Sequence, residues 1–170
     1  MKATTAKLYS LDYRSVKTYW VAALFVLGNI LLPQLCHFVP QGGLIWLPIY
    51  FFTLVGAYKY GWKVGLLTAI ASPVVNSILF GMPVAAALPA IVFKSVVLAI
   101  VAGIVAARYR KASLLLLAAV VLTYQAVGSL GEWAMTGSLY DALQDFRIGI
   151  PGMLVQIIGG YLFINFIIRR

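Results

Sequence analysis

The chain has 170 residues, of which 63% are hydrophobic and only 10% charged, against about 25% charged in a typical soluble domain; a water-soluble globule would expose contiguous apolar patches that a bilayer instead solvates. The formal charge of +9 would suggest nucleic acid in a soluble protein. Here the basic residues sit at the ends of apolar stretches and report membrane orientation, so no nucleic-acid partner is expected and the lipid bilayer is.

At about 20 apolar residues per span, the length accommodates six helices in a single membrane domain, 1–170, with no appended soluble domain. The polar, basic segment 1–17 lacks a small-residue cleavage pattern after the apolar run that follows, and is expected to be a cytoplasmic leader retained in the mature chain. A first helix over 18–35 ends near Pro33 and the loop His37 to Gly43. A second, over 44–60, returns to a turn marked by Lys59, Gly61 and Lys63, with Trp46, Tyr58, Tyr60 and Trp62 as interfacial aromatics. The third, 62–80, stops at Gly81-Met82-Pro83, and the fourth, 84–107, ends at Arg108, Arg110 and Lys111. The fifth, 112–135, precedes the longest polar stretch, Thr136 to Arg147, which contains Asp141 and Asp145. The sixth, 148–168, finishes at Arg169 and Arg170. On this plan both termini are cytoplasmic. Lys2, Lys7, Arg14, Lys17, Lys59, Lys63, Arg108, Arg110, Lys111, Arg169 and Arg170 all lie inside, leaving only Lys94 and Arg147 elsewhere.

Small residues recur at four-residue spacing on the third helix (Gly61, Gly65, Ala69) and the fourth (Ala99, Gly103, Ala107), a pattern that serves either internal packing or the approach of a partner helix. No internal repeat marks an inverted-repeat transporter.

Placed by a rise of about 1.5 Å per residue, the polar side chains gather toward the outer half of the bilayer. Gln34, Asn76, Glu132 and Gln156 lie outward of the midplane and Lys94 and Gln125 near it, while the inner half is aliphatic apart from Asn165. A charged group in hydrocarbon costs at least about 2.5 kcal/mol, so Lys94 and Glu132 must face the interior, a cavity or each other. Gln125, Gly128, Ser129 and Glu132 share one helix face, Ala87, Ala90 and Lys94 another, and Gly149, Gly152 and Gly160 accompany Gln156. Polar heads beside missing side chains describe a pocket for a small molecule, with Trp46, Phe93, Tyr124 and Trp133 to cover its apolar parts. A ligand carboxylate would suit Lys94 or Arg147, and a cationic or amide group Glu132.

Each candidate also has a structural reading. Lys94 and Glu132 can pair with each other; Asn76 and Gln156 can bond between helices; His37 can be a plain loop residue; and Asp141 or Asp145 can neutralise Arg147. The single Cys36 and single His37 make no disulfide framework or Cys/His metal cluster. No HExxH, GxSxG or P-loop pattern is present, so neither catalysis nor a cofactor is expected.

The segment from Leu47 to Ala107 carries Pro48, Gly56, the Gly61-Trp62-Lys63 turn with Gly65, Ser72-Pro73 with Asn76, Gly81-Met82-Pro83, and the small-residue fourth helix. With the size and helix count, this resembles the membrane-embedded S components of energy-coupling-factor (ECF) vitamin transporters. The resemblance implies a bacterial cytoplasmic (inner) membrane protein that captures a vitamin-like solute from outside, docks on a transmembrane coupling protein driven by two ATPase subunits, and releases the solute inside. It implies Lys94, Gln125, Glu132, Arg147 and Gln156 as ligand contacts and His37 and Gln41 as part of a lid. The Ala-x-x-x-Ala docking surface common on the family's first helix is reduced here to Thr18 and Ala22. A scaffolding membrane protein of similar size, of the cell-shape type, is the competing expectation.

Overall fold

In hydrocarbon every backbone N–H and C=O must find a partner within the protein, which leaves the helix as the natural form for long apolar runs. The computed structural model describes residues 7–168; the expected inside residues Lys2, Arg169 and Arg170 lie outside the described residues. Among these the chain is all helix and turn. In order it forms α1 (Val16–Cys36), α2 (Gly42–Trp46), α3 (Phe51–Tyr60), α4 (Trp62–Phe80), α5 (Leu88–Tyr109), α6 (Leu114–Thr136), the short α7 (Leu139–Ala142) and α8 (Gln144–Ile148), and α9 (Ile150–Ile167). Five of them, α1, α4, α5, α6 and α9, are long and apolar enough to cross a membrane.

The expected second helix, 44–60, is broken. Pro48 disfavours the helical conformation at the residue before it, and Leu47 sits in the left-handed region at φ 46°. The chain restarts through a 3-10 turn, Pro48–Tyr50, into α3. A restart leaves unpaired N–H groups; the Asn29 side-chain oxygen on α1 accepts one of them, from Phe52 N, at 3.1 Å. Seven consecutive residues of α3, Thr53 to Lys59, are buried. A helix enclosed on all faces is a core helix, and α3 is the axis about which the longer helices pack.

Pro33 lies inside α1, which continues to Cys36 beyond the expected stop. A proline removes the N–H that would bond to the carbonyl four residues back. That carbonyl belongs to Asn29, and Asn76 Nδ2 of α4 donates to it at 3.0 Å. Asn29 Nδ2 in turn donates to Thr53 Oγ1 at 3.1 Å and Ser72 Oγ at 3.2 Å, so one polar node joins α1, α3 and α4.

Neighbouring long helices run antiparallel. Asn29 faces Thr53, Gly65 faces Ala99, Gly128 faces Lys94, and Tyr124 meets Gln156. Two ends follow. One gathers the N-terminal segment, Gly61, the α5–α6 turn and the last turns of α9: Tyr9 N donates to Lys59 O, Tyr58 OH to Lys111 O, and Asn165 Nδ2 to Ala112 O. The other gathers the α1–α2 loop, the α4–α5 turn and α7–α8. The small-residue stripes are internal except at Ala107, which is exposed: a Cβ at Gly65 would stand 3.1 Å from Ala99 Cβ, and one at Gly103 would stand 2.8 Å from Trp62 Cα. They pack α3, α4 and α5 together rather than offering a face to a partner.

Candidate functional site

Lys94 on α5 is buried, with its side chain 4% exposed. An ammonium so placed needs counter-charges, and the fold supplies two. Its Nζ lies 2.5 Å from Glu132 Oε2 on α6 and 2.9 Å from Asp145 Oδ2 on α8. Gly128 makes the approach possible, since a Cβ there would stand 2.6 Å from Lys94 Cγ. The expected Lys94–Glu132 pair is thus part of a triad whose third member, Asp145, was expected only as a neighbour of Arg147. A periodic signal marked it: Ala142 and Asp145 in the supposed external loop and Gly149 just after it recur at three- and four-residue spacing, and all three are buried.

Beside the triad lies a neutral network. Tyr124 OH donates to Gln156 Oε1 at 2.8 Å and accepts from Gln125 Nε2 at 3.1 Å. The Tyr50 ring packs on Tyr124 with centroids 5.5 Å apart. Tyr124, Gln125 and Gln156 are fully buried. Gln125 Oε1, Gln156 Nε2, Ser95 Oγ and Ser129 Oγ have no hydrogen-bond partner among the described residues. Buried polar atoms are nearly always paired, and each left unpaired costs about 1–3 kcal/mol. Gln156 lies in a π-helical turn, Val155–Gly159, of α9, a local widening frequent at functional sites.

A cavity of about 460 Å³ opens at the same end, between the α1–α2 loop, α4 and α5. Its wall is mostly apolar, from Pro33, Pro48, Ile49, Met82, Pro83 and Ile91, with His37, Gln41 and Asn76 as its polar groups. Asn76 divides its work: Nδ2 is held by the Asn29 and Ser72 carbonyls, while Oδ1 has no partner. Ile91 and Lys94 are three residues apart on α5 and therefore share a face, so the triad lies one helical turn from the cavity wall.

Other expected site residues stand apart. Arg147 is exposed; its Nη1 donates to Tyr140 O at 3.1 Å and its guanidinium lies 3.6 Å from the centre of the Tyr140 ring, not on Asp141 or Asp145. Trp133 and Trp46 are 46% and 39% exposed. The room expected beside the α9 glycines is filled: a Cβ at Gly152 would meet the Trp46 backbone at 2.5 Å, and one at Gly149 would meet Leu47 at 2.9 Å. The sequence-derived group therefore divides into a triad and amide network (Lys94, Glu132, Gln125, Gln156), a cavity wall (His37, Asn76), and outlying residues (Arg147, Trp133, Trp46).

Chemically, Lys94 is already met by two carboxylates, so the triad carries a formal charge of −1 when both are ionised. A ligand carboxylate would face Glu132 and Asp145, whereas a cationic or donor-rich group finds acceptors there and at Gln125 Oε1. Among the described residues no group of three or more His, Cys, Asp or Glu side chains is arranged to hold a metal ion. Comparison with protein-family models, curated proteins and solved structures finds no match for this chain.

Proposed function

We propose that this chain is the solute-capture subunit of an ECF-type importer in a bacterial cytoplasmic membrane, taking up a small vitamin-like micronutrient or cofactor precursor. The observation that carries the reading is the cavity at the polar end. Its volume of about 460 Å³ lies within the ~300–1,000 Å³ of small-molecule sites, and its wall has their composition, apolar with a few polar groups. His37 and Gln41, from the loop the resemblance assigns to a lid, both line it. The solute would lie on Asn76 Oδ1 and extend a donor-rich or cationic group toward Glu132 and Asp145.

In this reading the chain crosses the membrane six times, with the broken α2–α3 segment as the second passage, since it leads from the polar end back to the basic end. Both termini then lie on the cytoplasmic side, as the basic residues of that end favour. A coupling protein and two ATPase subunits would drive release. Thr18 and Ala22 are buried, and Thr18 Oγ1 donates to Asp12 O at 2.6 Å, so the coupling protein would meet a different surface.

One observation favours the scaffolding alternative: the buried Lys94 ammonium meets Glu132 and Asp145 without a solute. Gently purified protein separates the two readings. Native mass spectrometry is expected to find a retained small molecule, and a panel of vitamins and cofactor precursors is expected to contain one that raises the thermal midpoint. At a hundred times its Kd such a compound stabilises by about 2.7 kcal/mol. Ile91→Trp, which fills the cavity, should abolish the shift while leaving a folded protein. Silence across the panel, with cell-wall assembly factors rather than ATPase subunits co-purifying, sinks the transport reading.

A further inference from the structure

The opposite end of the molecule holds cations for which the described residues offer no free acidic side chain. The sequence contains four acidic side chains. Glu132, Asp141 and Asp145 lie at the polar end, and Asp12 is engaged by Lys63. None remains for Lys7, Lys17 and Lys59. These three nevertheless converge on one aromatic ring: their Nζ atoms lie 5.4, 5.5 and 5.6 Å from the centre of Tyr9. No two of them can be farther apart than the sum of the two longest of these distances, about 11 Å (5.5 + 5.6), close to the ~8–10 Å over which salt screens charge.

Lys59, expected at a cytoplasmic turn, is fully buried, and its Nζ has no hydrogen-bond partner among the described residues. It is fixed there by the backbone, since Tyr9 N donates to Lys59 O at 2.8 Å and Leu11 N to Tyr60 O at 2.9 Å. Tyr9 also stacks on Tyr60, with centroids 5.7 Å apart. The N-terminal segment is therefore bound along the end of α3, and the three ammonium groups are held together by that pairing. A cation–π contact draws each cation to the ring but does nothing to relieve the repulsion among them. Beside them opens a second cavity, of about 520 Å³, lined by Lys7, Tyr9, Ser10, Trp62 and Arg110 among others. Arg110 ends α5 in the left-handed conformation at φ 51°.

We propose that Lys7 and Arg110, which line this cavity, form with the neighbouring Lys17 and Lys59 charges a binding site for a phosphate group, which supplies the negative charge that the cluster lacks. A phosphate fits the donors: its several oxygens accept from ammonium groups and from the guanidinium fork together. The cavity has room for the remainder of a molecule bearing that group. The site is separate from the solute cavity and holds whether or not the chain is a transporter.

The test uses the full-length purified chain in a zwitterionic detergent. Phosphatidylglycerol, phosphatidylcholine and inorganic phosphate are titrated separately, with chloride matched for ionic strength, and read by native mass spectrometry and thermal midpoint. Phosphatidylglycerol or inorganic phosphate is expected to bind and raise the midpoint, and phosphatidylcholine and chloride are not. Lys7 and Lys17 are exposed, so the double variant Lys7→Gln/Lys17→Gln should fold. Its affinity should fall roughly tenfold or more, at the scale of juxtamembrane basic residues on anionic lipid. Arg108→Gln/Lys111→Gln, which removes equal charge at the same end but outside the cluster, should change affinity far less. A response to phosphatidylglycerol alone identifies a lipid headgroup; a response to inorganic phosphate identifies a soluble phosphate compound. Equal losses in the two double variants would reduce the effect to general positive potential and overturn the site, as would no response to either phosphate probe.

Discussion

The two ends of this bundle are held together by different physics. At the polar end, charge and amide groups are buried in the helix layer: the triad of Lys94, Glu132 and Asp145, and the Tyr124–Gln125–Gln156 network. At the basic end the helices meet backbone to backbone, with Gly65 against Ala57 and Ala99 and Gly103 against Trp62, while most of the charge lies on the surface. Buried ions are sensitive to the loss of a partner, because the remaining charge is stranded in a medium that cannot solvate it. Close packing is sensitive instead to added volume. The contrast teaches how each end fails: the polar end by stranding a charge, the basic end by added volume.

The largest expected effect tests the polar end. Lys94→Ala leaves Glu132 and Asp145 facing each other without a counter-charge, and removing one partner of a buried ion cluster costs about 3–5 kcal/mol. Thermal or SDS-induced unfolding should show that loss. The triple variant Lys94→Met/Glu132→Gln/Asp145→Asn should recover most of it, since an uncharged set strands nothing. If Lys94→Ala unfolds like the parent protein, the triad does not hold the polar end together and the contrast between the ends fails.

Much of this architecture was legible in the apolar periodicity. The helices over 62–80 and 114–136 fall within two residues of the expected 62–80 and 112–135, because long apolar runs between charged ends leave few alternatives. The expected second helix was not legible as built: an unbroken helix needs a helical residue before Pro48, and Leu47 is not one. The node at Asn29 was missed because its role follows from Pro33, which frees the Asn29 carbonyl, a relation visible only once α4 is placed alongside. Depth along the helices grouped Lys94, Glu132, Gln125 and Gln156, whose hydrogen-bond and ion-pair partners include residues on neighbouring helices. Depth says nothing about a residue on a surface helix, so Asp145 went unassigned as a partner of Lys94 and Arg147 was expected at the site rather than on Tyr140. The cavity wall from Met82, Pro83 and Ile91 depends on how two turns come together in space, which no local pattern encodes.

A middle-sized effect separates a close-packed glycine of the basic end from an open one of the polar end by volume. At Gly103 an added Cβ would stand 2.8 Å from Trp62 Cα and 2.9 Å from Trp62 N, backbone that cannot move aside without shifting α4. Gly103→Ala should therefore cost about 1–3 kcal/mol, the range for overpacking. At Gly43 in the α1–α2 region the same atom would meet only His37 Nε2, at an ordinary 3.7 Å, and Gly43→Ala should be close to neutral. Parallel unfolding curves of the two variants check this. Equal costs would mean that Gly103 is not held against the Trp62 backbone as its contacts require.

The smallest effect concerns the one carboxylate at the basic end. Asp12 is exposed; the Lys63 ammonium, and after it the Arg14 backbone N–H at 3.1 Å, hold its carboxyl below the ordinary value of 3.8. A carboxylate more acidic in the folded than in the unfolded protein stabilises fully above its unfolded value, and that contribution is lost as pH falls through the lower, folded one. The contact should thus be intact at neutral pH and disappear only below about pH 4. Because it is exposed, it should be slight and shrink further in high salt. Asp12→Asn should remove this acid-dependent component and little else, so the parent and variant midpoints, slightly apart at pH 7, should converge near pH 3. A gap that persists at pH 3, or one as large as that of Gly103→Ala, would mean that Asp12 holds the N-terminal segment by something other than its charge, and that the basic end depends on electrostatics more than on packing.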